Sequence, residues 1–182
     1  MISFKIKYVV FLLKNLFYKV KFKKNISLNF FKVGMERGCL LIVKNGGCVD
    51  FGRLNYFTRY TNIETYGGQI KFGDNVSFNK NCNIVSRSKI KIGDNCIFGP
   101  SVSIYDHNHG THLNATPFSK QNFKSKEISI GNNVWIGAGV VVLPGSSIGD
   151  NVIVGANAVV LGSLDSNSIY VGIPAKKVKN AK

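Results

Sequence analysis

Three histidines lie close together near the middle of the chain, where they could transfer protons. His107, His109 and His112 fall within six residues and are the only histidines of the 182 residues, and Asp106 directly precedes the first of them. An imidazole takes up and returns a proton near neutral pH, and a neighbouring carboxylate can orient it. The cluster therefore indicates proton-transfer chemistry, and a polar surface loop without a role is the less favoured interpretation.

The same cluster could also bind a metal ion, because histidines at alternate positions beside a carboxylate are suitable zinc ligands. All of these ligands would come from one loop, however, and no second cluster in the sequence supplies another. The four cysteines show no metal-ligand spacing and are predicted to be small apolar core residues in a reducing compartment: Cys39, Cys48, Cys82 and Cys96. We therefore predict no metal site.

The elements that must position the histidines are indicated by a repeat of six residues on both sides of them. Apolar residues keep this spacing at Phe72, Phe78, Ile84, Ile92, Phe98, Ile104, Ile130, Ile136, Val142, Ile148, Val154 and Val160, apart from two longer steps. A helix repeats near 3.6 residues and sandwich strands do not hold a fixed phase for so long. A period of six is typical of the short strands and tight turns of a parallel β-solenoid.

The two longer steps predict where the solenoid is interrupted. The step from Ile84 to Ile92 is eight residues, so one turn carries two extra residues. The step from Ile104 to Ile130 is much longer and is not a multiple of six, which predicts a loop that leaves the solenoid over about residues 105–127 and carries the histidines. Upstream of Phe72 the same phase predicts inward side chains at Tyr66, Tyr60, Leu54, Cys48 and Ile42.

The amino-terminal segment is strongly basic, with eight lysines and no acidic residue in residues 1–32 of a chain whose net charge is +15. Its apolar residues are spaced as one face of an amphipathic helix: Ile2, Ile6, Val9, Leu13, Leu16 and Val20. Such a helix could lie on an anionic membrane surface, or it could cap the first coil or pack on a partner subunit. The longest apolar run, Tyr8 to Leu13, is too short to span a bilayer, and no known nucleic-acid motif organises the charge.

The length predicts one domain rather than two, divided into a basic segment (1–33), a solenoid (34–172) and a basic tail (173–182). The opening has no small-residue cleavage site after its apolar stretch. We therefore expect a cytoplasmic location, with the inner face of the plasma membrane as the place where a basic helix would bind.

Two runs of sequence resemble the hexapeptide-repeat acyltransferases. They are ISIGNNVWIGAGVVVLPGSSIGDN at Ile128–Asn151 and VGIPAKKV at Val171–Val178, and the likeness by motif covers about Gly67 to Lys179. The nearest branch contains the maltose and galactoside O-acetyltransferases and the acetyltransferases of capsule and lipopolysaccharide gene clusters. The resemblance implies an all-β fold, the left-handed parallel β-helix, and a homotrimer whose active sites lie between neighbouring prisms.

The resemblance also implies an acetyl-CoA-dependent O-acetyltransferase that modifies a hydroxyl of a glycan. The family's general base lies seven positions after the valine of the last hexapeptide before the loop, which from Val102 is His109. His107 is the rival base, and Asp106 could orient either imidazole. With a basic amino terminus, the acceptor would be a surface-polysaccharide precursor such as that of capsule or O-antigen, and it could be lipid-linked.

Further contacts follow from the same resemblance. The family's acceptor-binding asparagine corresponds to Asn79. Ser86-Arg87 stands where sugar acetyltransferases place an aspartate, so Arg87 and the nearby Tyr105 become candidate acceptor contacts.

The coenzyme would meet backbone groups near Ala138 and Ala156, and its phosphates would meet Lys176 and Lys179. Leu161-Gly162 replaces the Thr-Lys that is frequent in relatives. Two other functions remain open: an N-acetyltransferase acting on an amino-sugar nucleotide, and a non-enzymatic or metal-binding solenoid.

Overall fold

A computed structural model describes residues 2–28, 32–113 and 116–181, without the side chains of residues 2–8 and 10. Its secondary structure comprises α1 (Ile2–Phe22), 3-10 turns at Lys23–Asn25 and Phe118–Lys120, and strands β1 (Ile26–Ser27), β2 (Val33–Met35), β3 (Leu40–Lys44), β4 (Cys48–Asp50), β5 (Asn55–Phe57), β6 (Asn62–Tyr66), β7 (Gln69–Phe72), β8 (Ser77–Phe78), β9 (Asn83–Ser86), β10 (Lys89–Ile92), β11 (Ile97–Phe98), β12 (Ser103–Tyr105), β13 (His107–Asn108), β14 (Lys124–Ser125), β15 (Ile128–Ile130), β16 (Trp135–Ile136), β17 (Val141–Val142), β18 (Ser147–Ile148), β19 (Ile153–Val154), β20 (Val159–Val160), β21 (Ser163–Leu164), β22 (Ser168–Val171) and β23 (Lys176–Asn180).

The strands stack into three faces around one core. Face A contains β1, β4, β7, β10, β15, β18 and β21, face B contains β2, β5, β8, β11, β16, β19, β22 and β23, and face C contains β3, β6, β9, β12, β17 and β20. Within the faces the described coils pair in parallel, and the last pair of strands, β22 with β23, is antiparallel. The chain passes from A to B to C in each coil, so the predicted all-β fold is confirmed and agrees with the left-handed parallel β-helix.

The coils differ in length between the two halves of the β-helix. In the carboxyl-terminal half Ile130 pairs with Ile148 and Val142 pairs with Val160. The partners in each pair are three whole hexapeptides apart, which confirms the predicted phase in this half. The coil that begins at face A with β18 is two residues shorter, because Ile148 pairs with Leu164.

The predicted phase is wrong upstream of Phe72. Leu41 pairs with Ile63 and Ile63 pairs with Ile84, so these coils are longer than three hexapeptides. The extra residues lengthen the turns and shift the inward positions, so Leu41, Val49, Phe57 and Ile63 fill the core. Leu54 and Tyr60 instead lie exposed at corners with positive φ, and the other three positions, Ile42, Cys48 and Tyr66, are only half-buried.

The core is one continuous column of inward side chains. Phenylalanines fill its amino-terminal half, where Phe78 and Phe98 stack with ring centroids 4.0 Å apart and an interplanar angle of 5°. Isoleucine and valine fill the other half, as at Ile136, Val142 and Val154, which are completely buried. Each fully buried side chain of this size stabilises the fold by about 1.5–3 kcal/mol relative to an exposed one.

Three corners join the faces, and each has its own composition. From β7 onwards, the A–B corner comprises residues 73–75, 93–95, 131–133, 149–151 and 165–167. The B–C corner comprises residues 79–82, 99–101, 137–139 and 155–157, and the C–A corner comprises 86–88, 106–127, 143–146 and 161–162. Because parallel coils are in register, equivalent corner residues lie one above another along the helix.

The A–B corner forms hydrogen-bonded ladders along the helix axis. The last residue of each turn is an asparagine with φ between +52° and +57°, a conformation that asparagine tolerates. The amide of Asn133 donates to Asn151, and that of Asn151 to Asn167, each at 2.8 Å. Beside this ladder, the backbone N–H of Asp94 donates to the Asn132 side chain at 2.8 Å. This corner therefore satisfies its own polar groups.

Helix α1 covers the first coil of the solenoid with a polar and aromatic face. The Lys14 ammonium donates to the carbonyls of Glu36 and Cys39 at 3.0 and 2.9 Å, and the fully buried Asn15 amide donates to the carbonyl of Val33 at 2.8 Å. The end of a solenoid leaves backbone acceptors unpaired, and these donors satisfy them.

The predicted apolar face of α1 is not the face that packs on the solenoid. Val9, Leu13, Leu16 and Val20 are each at least half exposed, while Tyr18, on the other side of the helix, is buried. The side chains of Ile2 and Ile6 lie outside the described residues. Within the described parts of the chain, no helix is both long and apolar enough to cross a membrane.

All four cysteines are free thiols; Cys39, Cys82 and Cys96 belong to the core as predicted, whereas Cys48 is only half-buried. Cys82 and Cys96 are fully buried, with each Sγ 3.2 Å from a backbone carbonyl oxygen of the next coil. Burial raises the pKa of each thiol to about 11, which keeps it protonated and unreactive at neutral pH.

Candidate active site

A buried carboxylate organises the C–A corner at the point where the predicted loop leaves the solenoid. Asp106 follows β12 and is completely buried. Its Oδ2 accepts hydrogen bonds from the Ser86 hydroxyl at 2.6 Å and the Ser88 N–H at 2.8 Å, and its Oδ1 accepts one from the Arg87 N–H at 2.8 Å. The donors come from the turn with two extra residues. A buried charge is tolerated only with such partners, so the turn and the loop are tied together.

His107 is the imidazole that contacts this carboxylate. Its Nδ1 lies 3.1 Å from Oδ1 of Asp106, and its side chain is only 13% exposed. A carboxylate can only accept, so this contact favours the tautomer with the proton on Nδ1 and a free lone pair on Nε2. The rings of Tyr105 and Phe123 stand edge-on to the imidazole, with centroids 6.3 and 5.4 Å away.

His109 is exposed on the same loop and packs on Phe123, with ring centroids 4.3 Å apart. Strands β13 and β14 form an antiparallel pair in which His107 lies opposite Ser125, so the returning strand brings Phe123 beside both imidazoles. The Arg87 guanidinium lies 3.6 Å from the Phe123 ring centroid and 5.2 Å from that of Tyr66, which are cation–π distances. The Phe123 ring therefore contacts the Arg87 guanidinium and both imidazoles.

Two further contacts fix the loop. The Lys126 N–H donates to the carbonyl of Asp106 at 2.8 Å, which closes the base of the loop. The Gln121 side chain accepts from the N–H of His112 at 3.0 Å and donates to the carbonyls of His112 and Thr116 at 2.9 Å each. His112 is therefore bound through its backbone and is not part of the Asp106 contacts.

Asn79 lies at the B–C corner, apart from the histidines. Its side-chain oxygen accepts from the Lys80 N–H at 2.8 Å, and its side chain is exposed. It lines an open groove of about 420 Å³ together with Trp135, Phe98 and Gly99. The acceptor residues expected from the sequence therefore fall into two groups, with Arg87 and Tyr105 beside the loop and Asn79 at the opposite edge of face C.

The residues expected to hold the coenzyme are divided in the same way. Ala138 and Ala156 lie at the B–C corner, where coils are in close contact: a Cβ on Gly137 would lie 2.6 Å from the backbone nitrogen of Ala156. Leu161 and Gly162 lie at the C–A corner, Leu161 being 64% exposed and Gly162 having φ +90° with open space around it.

The two lysines expected at the coenzyme phosphates are on the last strand. Lys176 and Lys179 are exposed on β23 and pair with Val171 and Ile169 of β22. In the part of the chain that the structure describes, no group of three or more histidine, cysteine, aspartate or glutamate side chains is arranged to hold a metal ion.

Sequence reasoning missed three residues of this site: Ser86, Ser88 and Phe123. The two serines have a signal, because the eight-residue step from Ile84 to Ile92 marks a lengthened turn one coil below the loop. No sequence signal indicates Phe123, because its position depends on the pairing of β13 with β14, two strands of two residues each.

Comparisons with known proteins agree with the fold. Residues 127–162 match the family model described as bacterial transferase hexapeptide (six repeats). The chain is 36% identical over 156 residues to a putative lipopolysaccharide biosynthesis O-acetyl transferase, WbbJ, of Escherichia coli K12, which covers 79% of this chain and 80% of the relative. Three other curated relatives are longer, and the chain spans 44–56% of their length.

Two solved structures show the same fold. A maltose O-acetyltransferase from Clostridium difficile 630 has 28% identity and a TM-score of 0.60, covering 94% of this chain and 88% of its own. A hexapeptide-repeat acetyltransferase of Vibrio cholerae, solved with acetyl coenzyme A, has 27% identity and a TM-score of 0.58, covering 74% and 68%. With its three-faced helix, its loop of histidines and these relatives, the chain belongs to the hexapeptide-repeat transferase family and is an acetyltransferase of that family.

Proposed function

We propose that the protein transfers the acetyl group of acetyl-CoA to a hydroxyl of a glycan, a precursor of a bacterial surface polysaccharide. The observation that carries the proposal is that two imidazoles and the Arg87 guanidinium pack around Phe123 at the C–A corner of a hexapeptide-repeat helix. The name of the Escherichia coli relative, an O-acetyl transferase of lipopolysaccharide biosynthesis, supports both the oxygen nucleophile and the glycan acceptor.

His109 is the proposed general base. Its imidazole is exposed on the loop, where an acceptor can reach it, whereas His107 is half-buried against Asp106. A hydroxyl is a weak nucleophile, so the base removes its proton as the oxygen attacks the thioester carbonyl. The tetrahedral intermediate then collapses, the C–S bond breaks, and the coenzyme leaves as a thiolate that regains a proton from the imidazolium. Backbone N–H groups of an adjacent coil would stabilise the oxyanion.

Asp106 and His107 are assigned to positioning. The carboxylate ties the loop to the Ser86–Ser88 turn, and His107 extends that contact towards Phe123. His107 remains the rival base, because a proton on Nδ1 leaves Nε2 free to accept another.

Acceptor binding is assigned to Arg87, Tyr105 and Asn79. The Arg87 guanidinium is positioned between Tyr66 and Phe123, and its Nε is buried without a hydrogen-bond partner among the described residues. A cation held in this way can donate to an oxygen of the acceptor, and a bidentate acceptor oxygen pair such as a carboxylate or phosphate fits it best.

A homotrimer would complete the site. Arg87 and the histidines lie at the C–A corner, while Asn79 lies at the B–C corner, so face C separates the two groups in one chain. If the C–A corner of one prism meets the B–C corner of its neighbour, the two groups come together. Ala138 and Ala156 would then place the coenzyme in the same cleft as Leu161 and Gly162, with Lys176 and Lys179 at its phosphates.

We place the reaction at a membrane surface, on a lipid-linked acceptor at the inner face of the plasma membrane. The support is the basic helix α1, whose apolar side faces away from the solenoid. A peripheral enzyme of this kind would reach an acceptor whose lipid remains in the bilayer.

The proposal is tested by adding acetyl-CoA to the purified protein and recording the thermal unfolding midpoint. A ligand at about one hundred times its Kd stabilises by about 2.7 kcal/mol, which raises the midpoint by several degrees. Mass spectrometry of glycan acceptors then identifies the product, since an ester is lost in mild base and an amide is not. No shift at millimolar coenzyme would overturn the acetyltransfer proposal, and a base-stable product would assign nitrogen as the nucleophile.

A further inference from the structure

The outer side of α1 carries an apolar stripe that faces away from the solenoid. Leu13, Leu16, Phe17 and Val20 are 62%, 50%, 57% and 64% exposed. At 100° per residue these side chains occupy an arc of about 100°, opposite the side that covers the first coil. Single exposed apolar residues are ordinary, but a continuous stripe of this kind marks an interaction surface.

Lysines border this stripe. Lys19 and Lys21 are both exposed on the helix. The Lys21 ammonium lies 5.4 Å from the Phe17 ring centroid and 5.3 Å from that of Phe22, so one positive charge is held at the edge of the apolar stripe. No acidic residue occurs in residues 1–35, so this segment supplies no negative charge of its own.

A basic pocket of about 570 Å³ lies at the carboxyl end of the helix. Four lysines line it, three from the end of α1 and the 3-10 turn and one from β3: Lys21, Lys23, Lys24 and Lys44. Its other lining residues are neutral, and the Asn25 amide donates to the carbonyl of Gly47 at 2.8 Å, which fixes the turn against the next strand. The pocket has room for a phosphate group and offers several ammonium donors to it.

We propose that the apolar stripe and the lysine pocket together form a docking surface for a bilayer that contains anionic phospholipids. The stripe enters the boundary between headgroups and acyl chains, and the pocket binds headgroup phosphates. Charge complementarity selects this occupant, because a second copy would bring the same excess of positive charge to the contact, whereas anionic lipid brings the opposite charge. The inference rests on the proposed membrane location but is independent of acetyl transfer.

The stripe is tested by flotation with vesicles of phosphatidylcholine alone and of phosphatidylcholine mixed with phosphatidylglycerol. We expect the full chain to bind only the mixed vesicles. The combined substitution Leu13→Gln, Leu16→Gln and Val20→Gln should weaken binding about tenfold or more, since each buried apolar side chain contributes to insertion. Leu54→Gln, at an exposed corner, is the control and should bind as the unsubstituted chain does.

The pocket is tested by a charge-matched pair of variants. Lys21→Gln, Lys24→Gln and Lys44→Gln together should weaken binding to the mixed vesicles about tenfold or more, because lysines near the surface attract anionic lipid. Lys71→Gln, Lys89→Gln and Lys91→Gln remove the same charge from exposed positions on face A and should leave binding largely intact. An equal loss in both variants would overturn the pocket and leave only net charge.

Two other results would overturn the docking surface. The stripe variant could bind vesicles as tightly as the unsubstituted chain, or it could change the oligomeric mass without vesicles, which would assign the stripe to another copy of the chain. The thermal shift with acetyl-CoA is measured on every variant. A variant that keeps this shift is folded, so a failure of docking is distinguishable from a failure of the proposed acetyl transfer.

Discussion

The A–B corner and the C–A corner connect faces of the same helix, but they use polar residues in different ways. At the A–B corner, asparagine and aspartate repeat along the helix and bond to their equivalents above and below. At the C–A corner, one buried carboxylate collects three donors from a lengthened turn and supports the loop of histidines. In the regular corner the polar side chains bond to one another, whereas the irregular corner holds the two imidazoles and the guanidinium proposed to act in the reaction.

The largest expected effect is that of His109→Ala at the C–A corner, which should lower activity and leave the stability of the fold nearly unchanged. Loss of a general base lowers kcat by about 10²–10⁴-fold. The exposed side chain contributes little to folding, so the acetyl-CoA thermal shift should survive. His107→Ala is the matched variant; if it abolished activity while His109→Ala did not, the base would be His107.

Asp106→Ala should affect stability and activity together. The substitution removes the acceptor of the Arg87 and Ser88 N–H groups and leaves the Ser86 hydroxyl only its longer bond, 3.3 Å, to the carbonyl of Gln69. This loss costs about 3 kcal/mol in the free energy of unfolding. Urea unfolding measures the loss, and acetyl transfer should fall with it because the loop is released. Asp165→Ala, an exposed aspartate of the A–B corner, should change the free energy of unfolding by less than about 0.5 kcal/mol. Equal effects of the two substitutions would remove the distinction between the corners.

The smallest expected effect is that of Asn133→Ala, in the asparagine ladder of the A–B corner. Asn133 has φ +52°, and alanine in this conformation costs about 1–2 kcal/mol, while kcat should not change. Asn133→Gly removes the same side chain but accepts positive φ, so it should destabilise less. A loss of acetyl transfer in either variant would show that the A–B corner also takes part in the reaction.

Sequence alone predicted the fold where coils are built from whole hexapeptides. The pairing of Ile130 with Ile148 keeps the period, because the strand and turn units between these two residues add up to three whole hexapeptides. Upstream, turns gain residues and the phase moves, so Leu54 and Tyr60 were assigned inward although they lie at corners. A period can be counted only while the turn length is constant.

The sequence left open whether the apolar face of α1 packs on the solenoid or on something else. Amphipathic spacing identifies a face that needs a partner, but it does not say whether that partner is the same chain. In the structure the first coil presents backbone carbonyl groups to the helix. Lys14 and Asn15 donate hydrogen bonds to them, and the apolar face of α1 is therefore exposed. The hydrogen bonds of Asp106 could not be predicted from the sequence either. They join residues of successive coils, which come together only when the coils stack.

Two of the buried core thiols can report on the opening of individual coils. Cys82 and Cys96 lie on successive coils, and an alkylating reagent can reach either thiol only after its own coil has separated from its neighbours. Comparing the labelling rates of the two thiols would therefore show whether the coils open in sequence from the end covered by α1 or all open together.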